Sequence, residues 1–204
     1  VDDFTDITWS KFIELGKDVY SKTGCNLLVD RADVAQLLNV MIQSTGSWYF
    51  DESGNVNIAN NENLDKVFTV YKELVDNNIV ALYNDSHGYN NALWRGTTAG
   101  VCQGCWVMAT IKKGEDQSGN WALTNIPKVD GIDSATNYSN NGGGSWMVIN
   151  KENAAVAKEF LAETFAGSVE LYNEILPETS AIATYLPARE AENYGLGDDF
   201  FGGQ

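Results

Sequence analysis

The sequence predicts a mixed α/β (α+β) fold, and three observations carry that prediction. Amphipathic segments with helical spacing alternate along the chain with short apolar stretches of strand length. Clusters of glycine, asparagine and aspartate separate these segments, as turns do. The 204 residues are 44% hydrophobic and 11% aromatic, which is the composition of an ordinary globular protein with a full core. We expect one folded domain over residues 1–204, without internal repeats.

The first quarter of the chain predicts two helices with a strand between them. Thr8 is a suitable N-cap for a helix whose apolar residues recur at helical spacing, and Thr23-Gly24 ends that helix. A short apolar strand is expected from Cys25 to Val29. Residues 30–33 are then expected to cap a second helix that continues to about Ser44.

A hairpin and a third helix are predicted next. Trp48–Phe50 and Val56–Ile58 flank the turn-forming run 51–55, which indicates a hairpin. Asn61 or Asn63 opens a helix with one apolar face, and Asn77-Asn78 closes it.

The remainder of the chain predicts shorter elements around a long polar loop, 130–144. The expected strands are Gly100–Gly104, Trp121–Ile126 and Ser145–Ile149. The expected helices are about Tyr89–Arg95, Trp106 to about Lys113, Ala154–Phe165, and about Ser168–Ile175, which Leu176-Pro177 should end. Leu186–Arg189 is expected in a loop or a short helix, and the tail from Asn193 shows little periodicity.

The strongly acidic balance limits the partners of the protein. A formal net charge of −15 argues against binding to nucleic acid or to anionic membrane surfaces. The same charge is compatible with neutral solutes and with cations. No apolar run approaches the roughly 18 residues of a membrane span.

The three cysteines do not predict a disulfide framework or a metal site. Cys102 and Cys105 form a Cys-x-x-Cys, but zinc would need two further ligands, and the only histidine is His87. We expect the cysteines to be packed small residues, with a local disulfide or a reactive thiol pair as the alternatives. Neither a metal nor another cofactor is expected.

Enzyme signatures are also missing from the sequence. There is no Gly-x-Ser-x-Gly and no His-x-x-x-His, and carboxylate pairs carry little information in so acidic a chain. The residues therefore give no support to an enzyme, and we do not expect one. A thiol oxidoreductase and a carboxylate glycosidase remain the enzyme alternatives.

The strongest candidate for a ligand contact is Trp106, which follows a predicted strand and begins a predicted helix. Ligands of open α/β sheets bind at that place, and an indole face suits the apolar face of a sugar ring. A core tryptophan is the structural alternative. A second candidate is the Gly-rich run Asn140, Asn141, Gly142, Gly143 and Gly144, whose alternatives are a surface loop and, much less favoured, a phosphate cradle.

Other polar and aromatic residues are weaker candidates. Asp30 and Arg31 come where a strand gives way to a helix, and both side chains suit sugar hydroxyls; helix capping and an Arg31–Asp33 pair are the alternatives. Further candidates are placed in predicted loops, with ordinary surface or packing roles as their alternatives: Trp48, Tyr49, Tyr89, Tyr185 and Arg189.

The run from Asn91 to Trp106 resembles the "F-x-x-G-x-A-A-M-x-x-x-G-x-W" signature of the extracellular solute-binding proteins of ABC sugar importers. Further segments resemble other family motifs in the family's order: Thr8–Phe12, Trp48–Asn57, Leu74–Asn78, Asn141–Asn150, Ala154–Phe165 and Leu186–Arg189. Two departures occur, because residues 96–100 read Gly-Thr-Thr-Ala-Gly and Cys105 stands where proline is frequent in the family.

This resemblance implies a two-lobed fold of the periplasmic-binding-protein-like II type. The chain would be mostly the second lobe, truncated at both ends, with residues from about 190 to 204 crossing back towards the missing lobe. The resemblance further implies that Trp106 stacks on a sugar and that the partners are a carbohydrate and a transmembrane ABC permease. It implies a monomer that is extracellular, as a membrane-anchored lipoprotein or in the periplasm. A non-sugar solute on the same fold is the alternative.

Overall fold

The computed structural model describes residues 2–204, and a short parallel sheet lies at its centre. Strand β1 (Leu28–Arg31) pairs with β2 (Val80–Tyr83), with Leu28 opposite Val80 and Arg31 opposite Tyr83. Outside these strands, isolated parallel bridges join Asn26 to Thr98 and Thr8 to Lys128. The mixed α/β class predicted from the sequence is confirmed.

The α-helices make up most of the regular structure. They are α1 (Trp9–Thr23), α2 (Gln36–Ser44), α3 (Glu62–Asp76), α4 (Ser86–Trp94), α5 (Val107–Ile111), α6 (Ala154–Glu163) and α7 (Val169–Thr179). Short 3-10 helices lie at Asp2–Phe4, Glu115–Gln117, Leu186–Glu190, Glu192–Gly195 and Asp199–Phe201. No helix within residues 2–204 combines the length and the apolarity of a membrane span.

Helix ends that carry local signals lie where the sequence predicts them. The Thr8 side chain accepts a hydrogen bond from the Lys11 N–H at 3.4 Å, and α1 ends at Gly24 with a φ of +71°. Asn61 caps α3 by accepting from the Leu64 N–H at 3.2 Å. The hairpin is reduced to a tight turn closed by one bridge between Phe50 and Val56.

Some predicted boundaries are wrong. The first strand begins at Leu28 rather than Cys25, so Asp30 and Arg31 lie inside β1 and not at a helix cap. The second helix starts after Ala35, which has a φ of +47°, and no side chain caps it. Helix α7 runs past Pro177 to Thr179, because the carbonyl that a proline leaves unbonded, that of Asn173, accepts from the Asn193 side-chain amide.

The strands predicted at 100–104, 121–126 and 145–149 do not form. A strand exists only with a hydrogen-bonded neighbour, and these stretches have no continuous ladder partner within residues 2–204. The first comes closest, because the Val29 N–H donates to the Gly100 carbonyl at 3.3 Å. It therefore still lies beside β1, which fixes the position of the residues that follow it.

Three hydrophobic clusters hold the structure together. The first joins α1, α2, α3 and the two strands around Trp9, Met41 and Leu74. The second joins α4 and α5 to Val29 and to Phe201 near the end of the chain. The third is smaller and joins α7 to the two 3-10 helices that follow it, around Tyr172 and Ala188.

Candidate ligand-binding site

Trp106 occupies the N-terminal end of α5 with 39% of its surface exposed. Two glycines lie directly against its indole. A Cβ added at Gly104 would come within 2.2 Å of Cζ3, and a Cβ added at Gly142 would come within 2.7 Å of Cη2. The Gly-rich loop and the predicted tryptophan thus meet in space, and only glycine leaves room for the ring at both positions.

A chain of side-chain amides lies beside this tryptophan. The side-chain oxygen Oε1 of Gln103 accepts from the Gly104 N–H at 3.0 Å and from the Asn141 side-chain amide. The Gln103 side-chain amide in turn donates to the side-chain oxygen Oε1 of Gln36, the first residue of α2. Amides both donate and accept hydrogen bonds, as sugar hydroxyls do. The chain links the start of α2, the segment before α5 and the Gly-rich loop.

Two of these residues, Gln36 and Gln103, are not among the site residues predicted from the sequence. A glutamine carries no periodic or motif signal of its own, and the two lie 67 positions apart. The one feature of the sequence that could have indicated Gln103 is its position, because it directly precedes the Gly104-x-Trp106 pattern.

The loop residues around Gly142 are held in an open turn. The Asn140 side-chain amide donates to the Gly142 carbonyl at 3.4 Å. Gly142 and Gly143 have φ angles of +78° and +106°, which side chains rarely adopt, and an added Cβ at Gly143 would meet open space. The backbone N–H and C=O groups of Gly142 and Gly143 are therefore not covered by side chains of their own, and they lie next to the indole.

Asp30 is buried beneath this surface, with 2% of its surface exposed. Its carboxylate accepts hydrogen bonds from the backbone of Arg31 and Leu37 and from the Tyr71 hydroxyl, which lies at 3.4 Å. Burial raises the pKa of Asp30 above its usual value, and these hydrogen bonds offset only part of the shift. The carboxylate thus joins the end of β1 to the first turn of α2 and to α3.

Arg31 is engaged by its neighbour Asp33. Its Nε donates to the Asp33 Oδ1 at 3.0 Å, and its Nη2 contacts the second carboxylate oxygen. Hydrogen bonding to this guanidinium lowers the pKa of Asp33. The local pair that the sequence allowed is therefore present, and a ligand would have to compete with Asp33 for this arginine.

Tyr89 does not lie in a loop, as predicted, but inside α4 with 6% of its surface exposed. The helix begins three residues earlier than expected, because Asp85 caps it by accepting from the Gly88 N–H at 2.8 Å. The buried hydroxyl faces the Gln103 side chain, and desolvation raises the pKa of Tyr89 to about 12. Tyr89 therefore packs below the amide chain rather than at an exposed rim.

The cysteines are free thiols, and Cys102 is poorly suited to redox chemistry. Burial, assisted by the nearby Asp30 carboxylate, raises the pKa of Cys102 to about 12. A thiol must ionise to attack a disulfide or an electrophile, so this cysteine is inert near neutral pH. The geometry gives no support to the thiol oxidoreductase alternative.

The remaining candidates lie in other parts of the structure. Trp48 stacks obliquely on Tyr49, with ring centroids 4.8 Å apart, at the base of the hairpin turn. Tyr185 belongs to the third hydrophobic cluster, and the Arg189 Nε donates to the Ala183 carbonyl at 2.9 Å. Within residues 2–204, no hydrogen bond or ring contact joins these four residues to Trp106.

Sequence comparison identifies the family. The profile of the family described as "Bacterial extracellular solute-binding protein" matches residues 5–192. The chain belongs to this family. It is 39% identical over all 204 residues to a "Lactose-binding protein" of Rhizobium radiobacter, and 25% identical over 175 residues to an "Arabinooligosaccharide-binding protein" of Halalkalibacterium halodurans. The latter alignment spans 83% of this chain.

The fold of this solute-binding protein is also found among solved structures. The GacH receptor of Streptomyces glaucescens, solved unliganded and in complex with acarbose, superposes with a TM-score of 0.70 over 93% of the chain, at 17% identity. The chain spans 48% of GacH, and 48% and 38% of the two relatives, so it covers about half the length of each protein or less. This coverage fits one lobe of a two-lobed fold.

Proposed function

We propose that the full-length protein is a carbohydrate-binding receptor that delivers a sugar or oligosaccharide to the permease of an ABC transporter. The residues described here would form one side of its ligand site. The ligand class follows from the chemistry around Trp106 and is supported by the names of the two relatives, which are lactose-binding and arabinooligosaccharide-binding proteins.

The observation that carries the proposal is the setting of the Trp106 indole. Gly104 and Gly142 hold the ring at a helix N-terminus while leaving more than a third of its surface open. A flat apolar face of this kind stacks on the C–H face of a pyranose at low cost in entropy, because the ring is already fixed.

Polar recognition would come from the amide chain of Gln36, Gln103 and Asn141. These side chains are neutral and can exchange their mutual hydrogen bonds for bonds to sugar hydroxyls. The buried carboxylate of Asp30 lies beneath them without reaching the surface. A neutral solute suits such a surface better than a polyamine or a metal complex, which would require exposed carboxylates.

A receptor of this family acts outside the cytoplasm, and we propose a monomer held as a lipoprotein or free in the periplasm. Closure of two lobes would bury the ligand and create the form that the permease recognises. We propose no catalytic role, because the site combines a stacking surface with amides, and burial raises the pKa of the nearby Cys102 thiol.

The test is calorimetric titration of the full-length protein with a panel of mono- and oligosaccharides, followed by Trp106→Ala. The open 39% of this residue corresponds to roughly 100 Å², which at about 25 cal/mol/Å² contributes about 2.5 kcal/mol, or about 60-fold in affinity. Phe68→Ala is the matched control, since Phe68 is 41% exposed on α3 and no ring contact joins it to Trp106 within residues 2–204.

Two results would overturn the proposal. One is the absence of binding to any saccharide while charged solutes bind. The other is a sugar affinity that Trp106→Ala leaves within about twofold of the Phe68→Ala value, because the indole would then contribute nothing specific.

A further inference from the structure

The Tyr89 hydroxyl is buried and has no hydrogen-bond partner within residues 2–204. Only 6% of this residue is exposed, and it packs with Leu93 and Ile111 in the second hydrophobic cluster. Buried polar groups of native proteins are nearly always hydrogen-bonded, because an unpaired group has lost its bonds to water and gained none in exchange. A phenylalanine would fill the same space without this loss, so packing alone does not explain the hydroxyl.

The indole N–H of Trp9 also lacks a partner within the described part of the chain, but its setting is different. Trp9 is fully buried in the first cluster, where Phe12 packs edge-on against it with ring centroids 5.4 Å apart. No apolar residue has the size and shape of tryptophan, so packing accounts for that N–H. Tyr89 has an apolar counterpart of the same shape, and polar groups of the candidate site lie near its hydroxyl.

The nearby polar groups connect Tyr89 to the chain of side-chain amides. Burial raises the pKa of Tyr89 to about 12, and the side chain of Gln103 lies close enough to the hydroxyl to offset part of that shift. The Asp30 carboxylate is also close enough to act on this pKa, which it raises. The hydroxyl therefore lies beside the middle member of the amide chain without forming a hydrogen bond to it.

Gln103 has its hydrogen bonds taken by three neighbours. Its Oε1 accepts from the Gly104 N–H and from the Asn141 side-chain amide, and its own amide donates to Gln36. A saccharide that binds Gln36 and Asn141 breaks two of these bonds, which leaves the Gln103 side chain free to turn. A hydroxyl both donates and accepts, so Tyr89 can bond to either end of the turned amide.

We propose that Tyr89 is a positioning residue of the ligand site, whose hydroxyl bonds to the Gln103 side chain when a saccharide engages Gln36 and Asn141. This inference rests on the proposed carbohydrate-binding function. A bond that forms only in the complex strengthens binding, because it stabilises the bound state and not the free one. The hydroxyl that lowers the stability of the free protein thereby raises its affinity for the saccharide.

The test compares Tyr89→Phe with Tyr172→Phe in the full-length protein. The two tyrosines are 6% and 7% exposed, but the Tyr172 hydroxyl already donates to the Phe165 carbonyl at 2.8 Å. The probe is the mono- or oligosaccharide that binds the wild type most tightly in calorimetric titration, and melting temperatures are measured without it.

The two variants should show opposite patterns. Tyr89→Phe should bind the saccharide about tenfold more weakly, with a melting temperature no more than about 1 °C below that of the wild type, because no bond of the free protein is lost. Tyr172→Phe should keep its affinity within about twofold of the wild type and melt about 2 °C lower or more, because a buried hydrogen bond is lost.

The side-chain amide of Gln103 gives a readout that a purely structural role of Tyr89 would not change. In NMR spectra of the full-length protein labelled at glutamine, saturating saccharide should move the Gln103 amide signal to the same position in the wild type and in Tyr172→Phe. In Tyr89→Phe the saturated signal should lie elsewhere or be broadened, because the amide has lost the partner that fixes it.

Two results would overturn the inference. One is an unchanged affinity of Tyr89→Phe together with an unchanged Gln103 signal, since the hydroxyl would then make no bond in the complex. The other is a loss of melting temperature in Tyr89→Phe as large as in Tyr172→Phe, since the hydroxyl would then already have a partner, such as an ordered water, in the free protein.

Failure of the proposed function gives a different result, because the wild type itself then binds no saccharide. If it binds a charged solute instead, the carbohydrate assignment fails, and titration of the same variants with that solute decides the role of Tyr89. A wild type that binds no solute at all would overturn both proposals.

Discussion

Replacing Gly142 by alanine tests whether the Gly-rich loop fixes the Trp106 ring. The substitution adds one Cβ, which would lie 2.7 Å from the indole Cη2, whereas carbon atoms in contact normally stay about 3.5–4.0 Å apart. The ring or the loop must therefore move by roughly 1 Å. Because stacking depends on where the indole face lies, we expect the full-length protein to bind its saccharide about tenfold more weakly, a loss of about 1.4 kcal/mol.

The chain contains a matched control for this substitution. Gly142 has a φ of +78°, so alanine there also costs about 1–2 kcal/mol of stability through the left-handed backbone. Gly54 has a φ of +81°, and a Cβ added there meets nothing within 4 Å. Gly54→Ala therefore carries the same backbone cost without contact with the indole.

Two measurements separate the backbone effect from the effect on the ring. Chemical denaturation should show similar destabilisation of the two variants, and calorimetric titration should show weaker binding only for Gly142→Ala. If Gly142→Ala binds as tightly as Gly54→Ala, the loop does not fix the indole and the reasoning fails.

Two further predictions concern buried side chains. The raised pKa of Asp30 means that the folded protein binds this proton more tightly than the unfolded chain, so Asp30 weakens stability as pH rises above about 3.8 towards the folded pKa. Denaturation of the wild type and of Asp30→Asn across pH 3–8 should show the wild type losing stability relative to the variant with rising pH, and a constant difference would contradict this. Phe201→Ala should cost about 3–5 kcal/mol because Phe201 is fully buried in the second cluster. Leu196→Ala, at a residue 62% exposed, should stay within about 0.5 kcal/mol in the same assay, and equal losses would show that the tail does not pack as described.

Local signals in the sequence predicted most helix ends correctly. Thr8, Gly24 and Asn61 act through hydrogen bonds and backbone angles within a few residues, so a short window contains all the information needed. Pro177 misled the same reasoning, because Asn193, 16 positions further on, satisfies the carbonyl that the proline leaves free.

Strands were harder to predict because they depend on a distant partner. Ser145–Ile149 has strand-forming residues, yet it has no hydrogen-bonded neighbour within residues 2–204. The stretch Gly100–Gly104 lies beside β1 but makes too few hydrogen bonds for a ladder. A short window of sequence does not show whether a partner strand lies alongside, so composition alone could not distinguish these cases.

The candidate site was only partly predictable, because contacts between distant segments leave no pattern within either segment. The sequence points to Trp106 because it follows a predicted strand and to Gly142 because it belongs to a Gly-rich run, and the structure brings the two into contact. Their roles in ligand binding remain predictions. Gln36 and Gln103 were missed, since the contact between two amides depends on the tertiary fold and leaves no pattern in either segment.

The burial of Phe201 beside α4 and α5 has a consequence for how the protein folds. Phe201 packs in one cluster with Leu93 and Ile111, so that core is complete only when nearly all of these 204 residues are available. Closing the intervening loop of about 90 residues costs roughly 4 kcal/mol in chain entropy before the contact contributes any stabilisation. A nascent chain therefore cannot complete this core until Phe201 has been synthesised.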